Sequence, residues 1–232
     1  MSEQLIKSKN RVKDHGEVFT PSWLVQKMLN TAGIKEACED INVTFLEPAA
    51  GDGNFLVAIL NRKLKMVSEK YAESLSQFEN YSLYALSTIY GVELLDDNVK
   101  ECVMRMIEAY MNFYKEMIIK FEGKPHKNIE SSARIIIKNN IQQGNFLTRL
   151  TDDGSPIKFI EWKVLDKSFP KTKTIKVSCQ PFTLESLYAT EKSNYDIFSV
   201  LGVEFEEEMI DEKNERDYIT SRITTLKNLE VI

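Results

Sequence analysis

The feature that most constrains this chain is a short apolar run that ends at a proline and two glycines, directly before a long apolar-periodic stretch. The run is VTFLEP at 43–48, the turn is AAGDGN at 49–54, and FLVAILNRKLKMVSEKY follows at 55–71. These patterns predict a strand, a tight turn and a helix. Such a turn lets a ligand approach the backbone and presents helix N-terminal amides to it. Taken alone, Gly51-x-Gly53 is equally consistent with glycines that serve only the turn.

Two later segments add predicted strands, and a predicted helix follows the first of them. The run IYGVELL at 89–95 predicts a second strand, and Asp96 or Asp97 is expected to cap a helix that ends before Gly123. The segment ARIIIKNNIQQGNFL at 133–147 is rich in β-branched residues and predicts a further β-rich segment before a turn. Strands that alternate with helices indicate a parallel, doubly wound sheet, so the expected fold class is α/β.

Helices are also predicted from apolar residues at spacings of three and four. Ahead of the first strand, Thr20 is expected as the N-cap and Pro21 as the first residue of an amphipathic helix over 21–32. The long helix after residue 95 carries a stripe of apolar, methionine and aromatic residues. We expect this stripe to face the core rather than to bind a cofactor, and its members are Val99, Val103, Met106, Ile107, Tyr110, Phe113, Tyr114 and Met117.

The sequence changes character after about residue 150. IKFIEWKVL at 157–165 alternates apolar and polar residues, which predicts a half-buried strand, and TIKVSCQPFTL at 174–184 predicts another. The last fifteen residues predict a short helix, whereas lysine-rich 158–176 and acidic 204–217 are expected to be solvated. We therefore divide the chain into an N-terminal arm (1–20), an α/β core (21–150) and a less regular, β-containing C-terminal part (151–232).

Composition and charge exclude several classes of protein. Hydrophobic residues make up 43% and charged residues 28% of the 232 residues, which excludes disorder throughout. No apolar run approaches about 18 residues and the N-terminus is polar, so no membrane span or secretion signal is predicted and a cytoplasmic location is expected. Three distant cysteines and two histidines argue against a disulfide framework and a metal centre. The net charge of −5 argues against extensive DNA contact by this chain alone.

A carboxylate stands at the end of the second predicted strand, one crossover after the glycine turn. At this position Glu93 can accept two hydrogen bonds from the hydroxyls of a ribose. The alternative is a surface acid that caps the next helix together with Asp96 and Asp97. The turn lacks the third glycine of the NAD fingerprint and the Gly-Lys-Ser/Thr of a P-loop, so a nucleotide-like ligand of another kind is indicated.

Four motifs follow one another in a specific order: HGEVFTP at 15–21, LEPAAGDGNFL at 46–56, GVELLDDNV at 91–99 and QQGNFL at 142–147. In this order they resemble the motifs of N6-adenine DNA methyltransferases of restriction-modification systems. The resemblance covers roughly residues 15–147. It implies a Rossmann-like fold of the S-adenosylmethionine (SAM)-dependent methyltransferase type, incomplete here, with SAM as cofactor and adenine in DNA as substrate.

The resemblance implies a role for residues in each motif. The first motif helps hold the methionine part of SAM in the family, which carries over to Phe19, Thr20 and Pro21. The turn that cradles the cofactor corresponds to Glu47, Pro48, Ala49, Gly51 and Gly53. The ribose-binding acid and the residue that packs on adenine correspond to Glu93 and Leu94. Where the family often has an aspartate against the adenine amino group, this chain has Asn145, followed by Phe146 as a stacking face.

The catalytic signature of that family is missing from the sequence. The signature is an Asp, Asn or Ser followed by Pro-Pro and an aromatic residue, and it holds the amine of a flipped adenine towards the SAM methyl group. This chain has no Pro-Pro pair. Its nearest substitute is Gln180-Pro181-Phe182, which is interpreted either as a degenerate remnant or, with preference, as a turn that ends a strand. We therefore do not expect this chain alone to methylate DNA.

Four functions remain open. The first is the SAM-binding part of an adenine-specific DNA methyltransferase, truncated or completed by a partner chain that supplies the signature and the DNA-reading region. The second is a non-catalytic SAM-binding module that regulates or assembles with a restriction-modification partner. A small-molecule methyltransferase ranks lower, since the fold does not fix the substrate. The last is a degraded relic, whose incomplete sheet would leave an apolar edge and promote self-association.

Overall fold

A computed structural model of the protein describes residues 4–165, 175–186 and 222–229. Seven α-helices are described within these ranges: α1 (Lys9–His15), α2 (Ser22–Leu29), α3 (Ile34–Cys38), α4 (Asn54–Lys70), α5 (Leu75–Ser87), α6 (Asp96–Phe121) and α7 (Ile129–Asn140). Six strands accompany them: β1 (Phe45–Glu47), β2 (Ile89–Glu93), β3 (Ile141–Gln143), β4 (Lys158–Val164), β5 (Lys176–Thr183) and β6 (Arg222–Thr225). A 3-10 helix, Leu226–Asn228, follows β6. The acidic segment 204–217 lies outside the described residues.

The first sheet is parallel, with the strand order β1-β2-β3. Its central strand β2 is buried along its whole length, which matches the apolar IYGVE sequence expected of a parallel strand covered on both faces. Helices α4 to α7 pack against this sheet and against each other. The predicted stripe on α6 is confirmed as core, since Met106, Ile107, Tyr110, Tyr114 and Met117 are all buried. The mixed α/β class is therefore confirmed.

The second sheet is antiparallel, with the order β4-β5-β6. In β4, Phe159, Ile160 and Trp162 are buried while Glu161 and Lys163 are exposed, as the alternation of the sequence predicts. The sheet is joined to the parallel part by hydrogen bonds from the Tyr90 hydroxyl to the Ile160 carbonyl (2.9 Å) and from Trp162 Nε1 to Asn140 Oδ1 (2.8 Å). The C-terminal part is thus β-containing and packs directly on the core.

The prediction of a β-rich segment at 133–147 is wrong for its first half. Residues up to Asn140 belong to helix α7, and only Ile141–Gln143 form a strand. The β-branched residues of α7 suit a helix here because its buried residues recur at spacings of three and four, namely Ile129, Ser132, Ala133, Ile136, Ile137 and Asn140. Helix α5 was not anticipated either; Ser74 caps it by accepting a hydrogen bond from the Gln77 amide (3.3 Å).

The predicted starts of two helices need correction, and a third predicted helix is absent from the described residues. Helix α2 covers Ser22–Leu29 with Pro21 instead of Thr20 as its N-cap, so it begins one residue later and ends three residues earlier than expected. Helix α6 has Leu95 as its N-cap, and Asp96 and Asp97 lie in its first turn rather than cap it through their side chains. The predicted C-terminal helix is wrong: Arg222–Thr225 pair with β5, which suits their β-branched residues, and a 3-10 helix follows.

The N-terminal arm (1–20) contains helix α1. Ser8 caps α1, and Gly16 ends it in the left-handed conformation at φ 65°. After α1 the chain runs back along its own start, and the Phe19 amide donates to the Leu5 carbonyl (2.8 Å). None of the described helices is long and apolar enough to cross a membrane.

Candidate functional site

The glycine turn and Glu93 meet at the carboxyl edge of the parallel sheet. Strands β1, β2 and β3 end at Glu47, Glu93 and Gln143, and parallel pairing brings all three ends to one edge. The Gly51 amide donates to Glu93 Oε2 at 2.8 Å. The two features that the sequence predicts to share a ligand are therefore in direct contact.

The two glycines of the turn are required for different reasons. Gly51 has a φ of 55°, and a Cβ there would meet the Phe19 ring at 3.3 Å, so its absence allows the arm to close on the turn. Gly53 has a φ of 93°, and a Cβ would lie 2.8 Å from Cys102 Sγ. Close packing of the turn on α6 explains Gly53 without a ligand, whereas Gly51 lies beneath the predicted cofactor-binding phenylalanine.

Glu93 is a buried acceptor with donors on both oxygens. Glu93 is 7% exposed, so it is not a surface acid, although it does contact the start of α6. Besides the Gly51 contact, Glu93 Oε1 accepts from the Leu95 amide (2.9 Å) and from Asn98 Nδ2 (3.3 Å). A carboxylate offers about four lone-pair positions, so Glu93 retains capacity for a ligand hydroxyl.

The other residues of the turn lie around this contact. Glu47 is partly buried, and this burial raises the pKa of its carboxyl group, against the opposing effect of the Ala49 amide that donates to it at 3.2 Å. Pro48 and Ala49 are exposed. The Ala50 amide donates to the Val92 carbonyl (2.8 Å), which ties the turn to the strand that carries Glu93.

The Phe19-Thr20-Pro21 segment is held against the turn. Phe19 is 7% exposed and faces Gly51. The Thr20 carbonyl accepts from Asn54 Nδ2 at 3.0 Å, just past the turn, and Pro21 follows as the N-cap of α2. On the other side, Arg105 of α6 donates to Asn54 Oδ1 at 2.7 Å. Residues of the HGEVFTP and LEPAAGDGNFL motifs are therefore in direct contact.

Ion pairs fasten the arm over the start of α6. Lys7 Nζ lies 3.0 Å from Asp97 Oδ2 and 2.8 Å from Glu101 Oε2, and Arg11 NH1 lies 2.6 Å from Asp97 Oδ2. The Arg11 guanidinium holds the pKa of Asp97 far below its usual range, with help from Lys7. Asp97 is half exposed, so solvent screens these pairs, and they position the arm more than they stabilise the fold.

Residues after β3 complete the edge, with one departure from the prediction. The Gly144 amide donates to the Glu93 carbonyl (3.0 Å), and Leu94, 41% exposed, offers an apolar surface beside it. Asn145 Oδ1, however, accepts from the Leu147 and Thr148 amides at 2.9 and 3.4 Å. Its amide oxygen therefore serves its own turn, and Phe146 packs against the core.

Gln180, Pro181 and Phe182 lie inside strand β5, so the preferred interpretation of a turn is wrong. Pro181 pairs with Ile160, and among the described residues β6 pairs with β5 only as far as Cys179, so the missing amide of proline breaks no described ladder bond to β6. The Phe182 ring stacks on Phe159 (5.5 Å between centroids) and lines an apolar pocket of about 290 Å³. These three residues belong to the antiparallel sheet.

Two polar residues that the motifs did not mark as ligand-binding are connected to Glu93: Asn98 donates to Glu93, and Asn98 also donates to Glu17. Asn98, on the first turn of α6, and Glu17, in the arm, each keep one buried side-chain oxygen, Asn98 Oδ1 and Glu17 Oε1, without a hydrogen-bond partner. A buried acceptor without a donor costs about 1–3 kcal/mol. Both residues stand within the motifs HGEVFTP and GVELLDDNV, which was the available signal. A donor-bearing ligand fits such a site.

Comparisons with protein-family models, curated proteins and solved structures returned no match for this chain. Among the residues in the described ranges, no group of three or more His, Cys, Asp and Glu side chains is placed to hold a metal ion.

Proposed function

We propose that the carboxyl edge of the parallel sheet binds SAM. The observation that carries this proposal is the 2.8 Å hydrogen bond from the Gly51 amide to the buried Glu93 carboxylate. This contact puts a close-approach turn and a ribose-type acceptor within reach of one nucleoside. Its position at the strand ends is where ligands bind in parallel α/β sheets.

The chain's own residues suit the parts of this cofactor. Glu93 would accept from the ribose hydroxyls, and the exposed Leu94 would pack on the adenine ring. Phe19 and the carboxylate of Glu47 would surround the cationic methionine end, where SAM supplies an electrophilic methyl group. Asn145 is left out of this assignment, because its amide oxygen already accepts two hydrogen bonds.

We further propose that this SAM site belongs to an adenine-specific DNA methyltransferase whose catalytic signature and DNA-reading surface come from a partner chain. The exocyclic amine of adenine is a weak nucleophile and needs acceptors that hold it in line with the methyl group. The sequence contains no Pro-Pro-aromatic element to do this.

A second candidate is a non-catalytic SAM-binding module. It is favoured by the location of Gln180-Pro181-Phe182, which lie in β5 of the antiparallel sheet and pair with β4 instead of following a strand of the parallel sheet. The two candidates share the SAM site and differ in whether a partner chain completes a reaction.

Calorimetric titration with SAM tests the site. The wild-type chain is expected to bind, and Glu93→Gln is expected to weaken binding about 10- to 100-fold, because a charge-assisted acceptor is lost. Gly51→Val is expected to abolish binding, since a larger side chain would push the Phe19 ring off the turn. Glu161→Gln, at an exposed position of β4, is the matched control for loss of one carboxylate.

Equal SAM binding by all four proteins would contradict the site, and no binding by a folded wild-type chain would contradict the function. Transfer of a tritiated methyl group separates the two candidates. The chain alone is expected to leave adenine-containing DNA unlabelled. Labelling after a co-purifying partner is added supports the enzyme component, whereas a SAM-bound, unreactive complex supports the non-catalytic module.

A further inference from the structure

Glu17 is a buried carboxylate of which only one oxygen is paired with an arginine. Its side chain is 7% exposed, and Oε2 lies 2.6 Å from Arg11 Nε. The other oxygen, Oε1, is buried and has no hydrogen-bond partner. An acceptor with a full negative charge is the group least easily left without a donor in a protein interior.

Asn98 links this carboxylate to the proposed ribose-binding residue. It is 1% exposed, and its Nδ2 lies 3.4 Å from Glu17 Oε2 and 3.3 Å from Glu93 Oε1. Its own Oδ1 is also buried without a partner. Glu17, Asn98 and Glu93 therefore form one hydrogen-bonded group, the acceptor cluster. Two of its oxygens, Glu17 Oε1 and Asn98 Oδ1, have no hydrogen-bond donor.

We infer that Glu17 and Asn98 are further ligand-binding residues, and that the acceptor cluster recognises the paired hydroxyls of a ribose. This inference rests on the proposed SAM site and extends it from one acceptor to three. A vicinal diol supplies two donors, which Glu93 and the two oxygens without partners can share. Because Glu17 precedes Phe19 by two residues, the same segment of the arm carries this acceptor and the phenylalanine that lies against Gly51.

Ligand-selective binding tests the inference. S-adenosylhomocysteine is titrated into wild-type and Glu17→Gln chains, alongside its 2′-deoxy and 3′-deoxy forms. Glutamine keeps the size of the side chain but turns an amide donor towards Arg11 or the ligand. The variant should bind S-adenosylhomocysteine about 10-fold or more weakly, yet bind at least one deoxy form within about twofold of wild type.

Arg11→Gln is the matched control, since it removes the partner of Glu17 and leaves the acceptor in place. A looser arm should weaken all three ligands by one common factor. Asn98→Ser provides a second variant, with the same selective loss expected. Thermal unfolding checks that each protein is folded.

Two results would overturn the inference: an unchanged affinity in Glu17→Gln and Asn98→Ser, or a loss that is equal for the hydroxyl-bearing and both deoxy ligands. Failure of the folded wild-type chain to bind S-adenosylhomocysteine would instead refute the underlying SAM site. The two failures are therefore distinguishable in one set of titrations.

Discussion

The parallel region (residues 45–143) and the antiparallel region (Lys158–Val164, Lys176–Thr183 and 222–229) use polar residues in opposite ways. In the parallel region, polar side chains collect at the strand ends, and Glu93 and Asn98 are buried there. In strand β4 of the antiparallel region, the polar residues Glu161 and Lys163 are exposed on either side of the buried Trp162.

Topology explains the difference. Parallel strands all point one way, so each carboxyl end and the loop behind it falls on one edge, where their polar groups meet. Antiparallel neighbours reverse direction, and their ends are divided between two edges. The proposed ligand site therefore lies in the parallel region, and the antiparallel region packs against that region through Tyr90 and Asn140.

The largest expected effect concerns the buried ion pair that joins the two regions. Lys227 Nζ lies 2.7 Å from Glu79 Oε2, and both side chains are under a tenth exposed. Lys227→Met should destabilise the fold by about 3–5 kcal/mol, because the Glu79 charge stays buried without its cation. Urea unfolding followed by circular dichroism measures this loss.

Lys100→Met serves as the control for that ion pair, since the Lys100–Asp96 pair lies on the surface and should contribute little. If the two lysine variants lost equal stability, the antiparallel region would not be braced through Glu79.

A smaller effect is expected from the glycine turn. Gly53→Ala combines a strained φ of 93° with a Cβ 2.8 Å from Cys102 Sγ, and should cost about 2–4 kcal/mol. Gly154, in the turn that leads into the antiparallel region, has a φ of 81° and nothing within 4 Å of a Cβ. Gly154→Ala should therefore cost only about 1–2 kcal/mol of backbone strain.

Chemical denaturation of both glycine variants provides the comparison. A Gly154→Ala loss as large as that of Gly53→Ala would show that packing on α6 adds nothing to the requirement for Gly53.

The smallest effect depends on pH. Lys63 of α4 is fully buried, and its ammonium donates to the Asp40 and Val43 carbonyls at 3.0 and 2.7 Å. Burial lowers the pKa of Lys63 from 10.5 to about 8. Between these values the unfolded chain keeps the proton and the folded protein has released it, so stability should rise with pH.

The rise attributable to Lys63 is at most about 3 kcal/mol between pH 8 and 10.5, and Lys63→Met should remove it. Unfolding free energies across this range, with exposed Lys65→Met as the control for loss of a charge, measure the difference. If the unfolding free energies of Lys63→Met and wild type rose equally with pH, the Lys63 ammonium would be hydrated in the folded protein.

Much of the parallel region could be predicted from local sequence. Pro48, Gly51 and Gly53 mark the first turn, and the apolar IYGVE run marks a strand buried on both faces. Helix α7 could not be assigned correctly, because its isoleucines favour a strand locally while their burial along one face favours a helix. Only packing against neighbouring elements decides between the two.

The sequence by itself determined the order of strand, turn and helix, the acid after β2 and the alternation of β4, since each follows from neighbouring residues along the chain. Tertiary structure alone decided that Asn98, which donates to Glu93, also donates to Glu17. The contact between Asn98 and Glu17, which lie 81 positions apart, depends on how the arm and the helices pack, and spacing along the chain does not specify this.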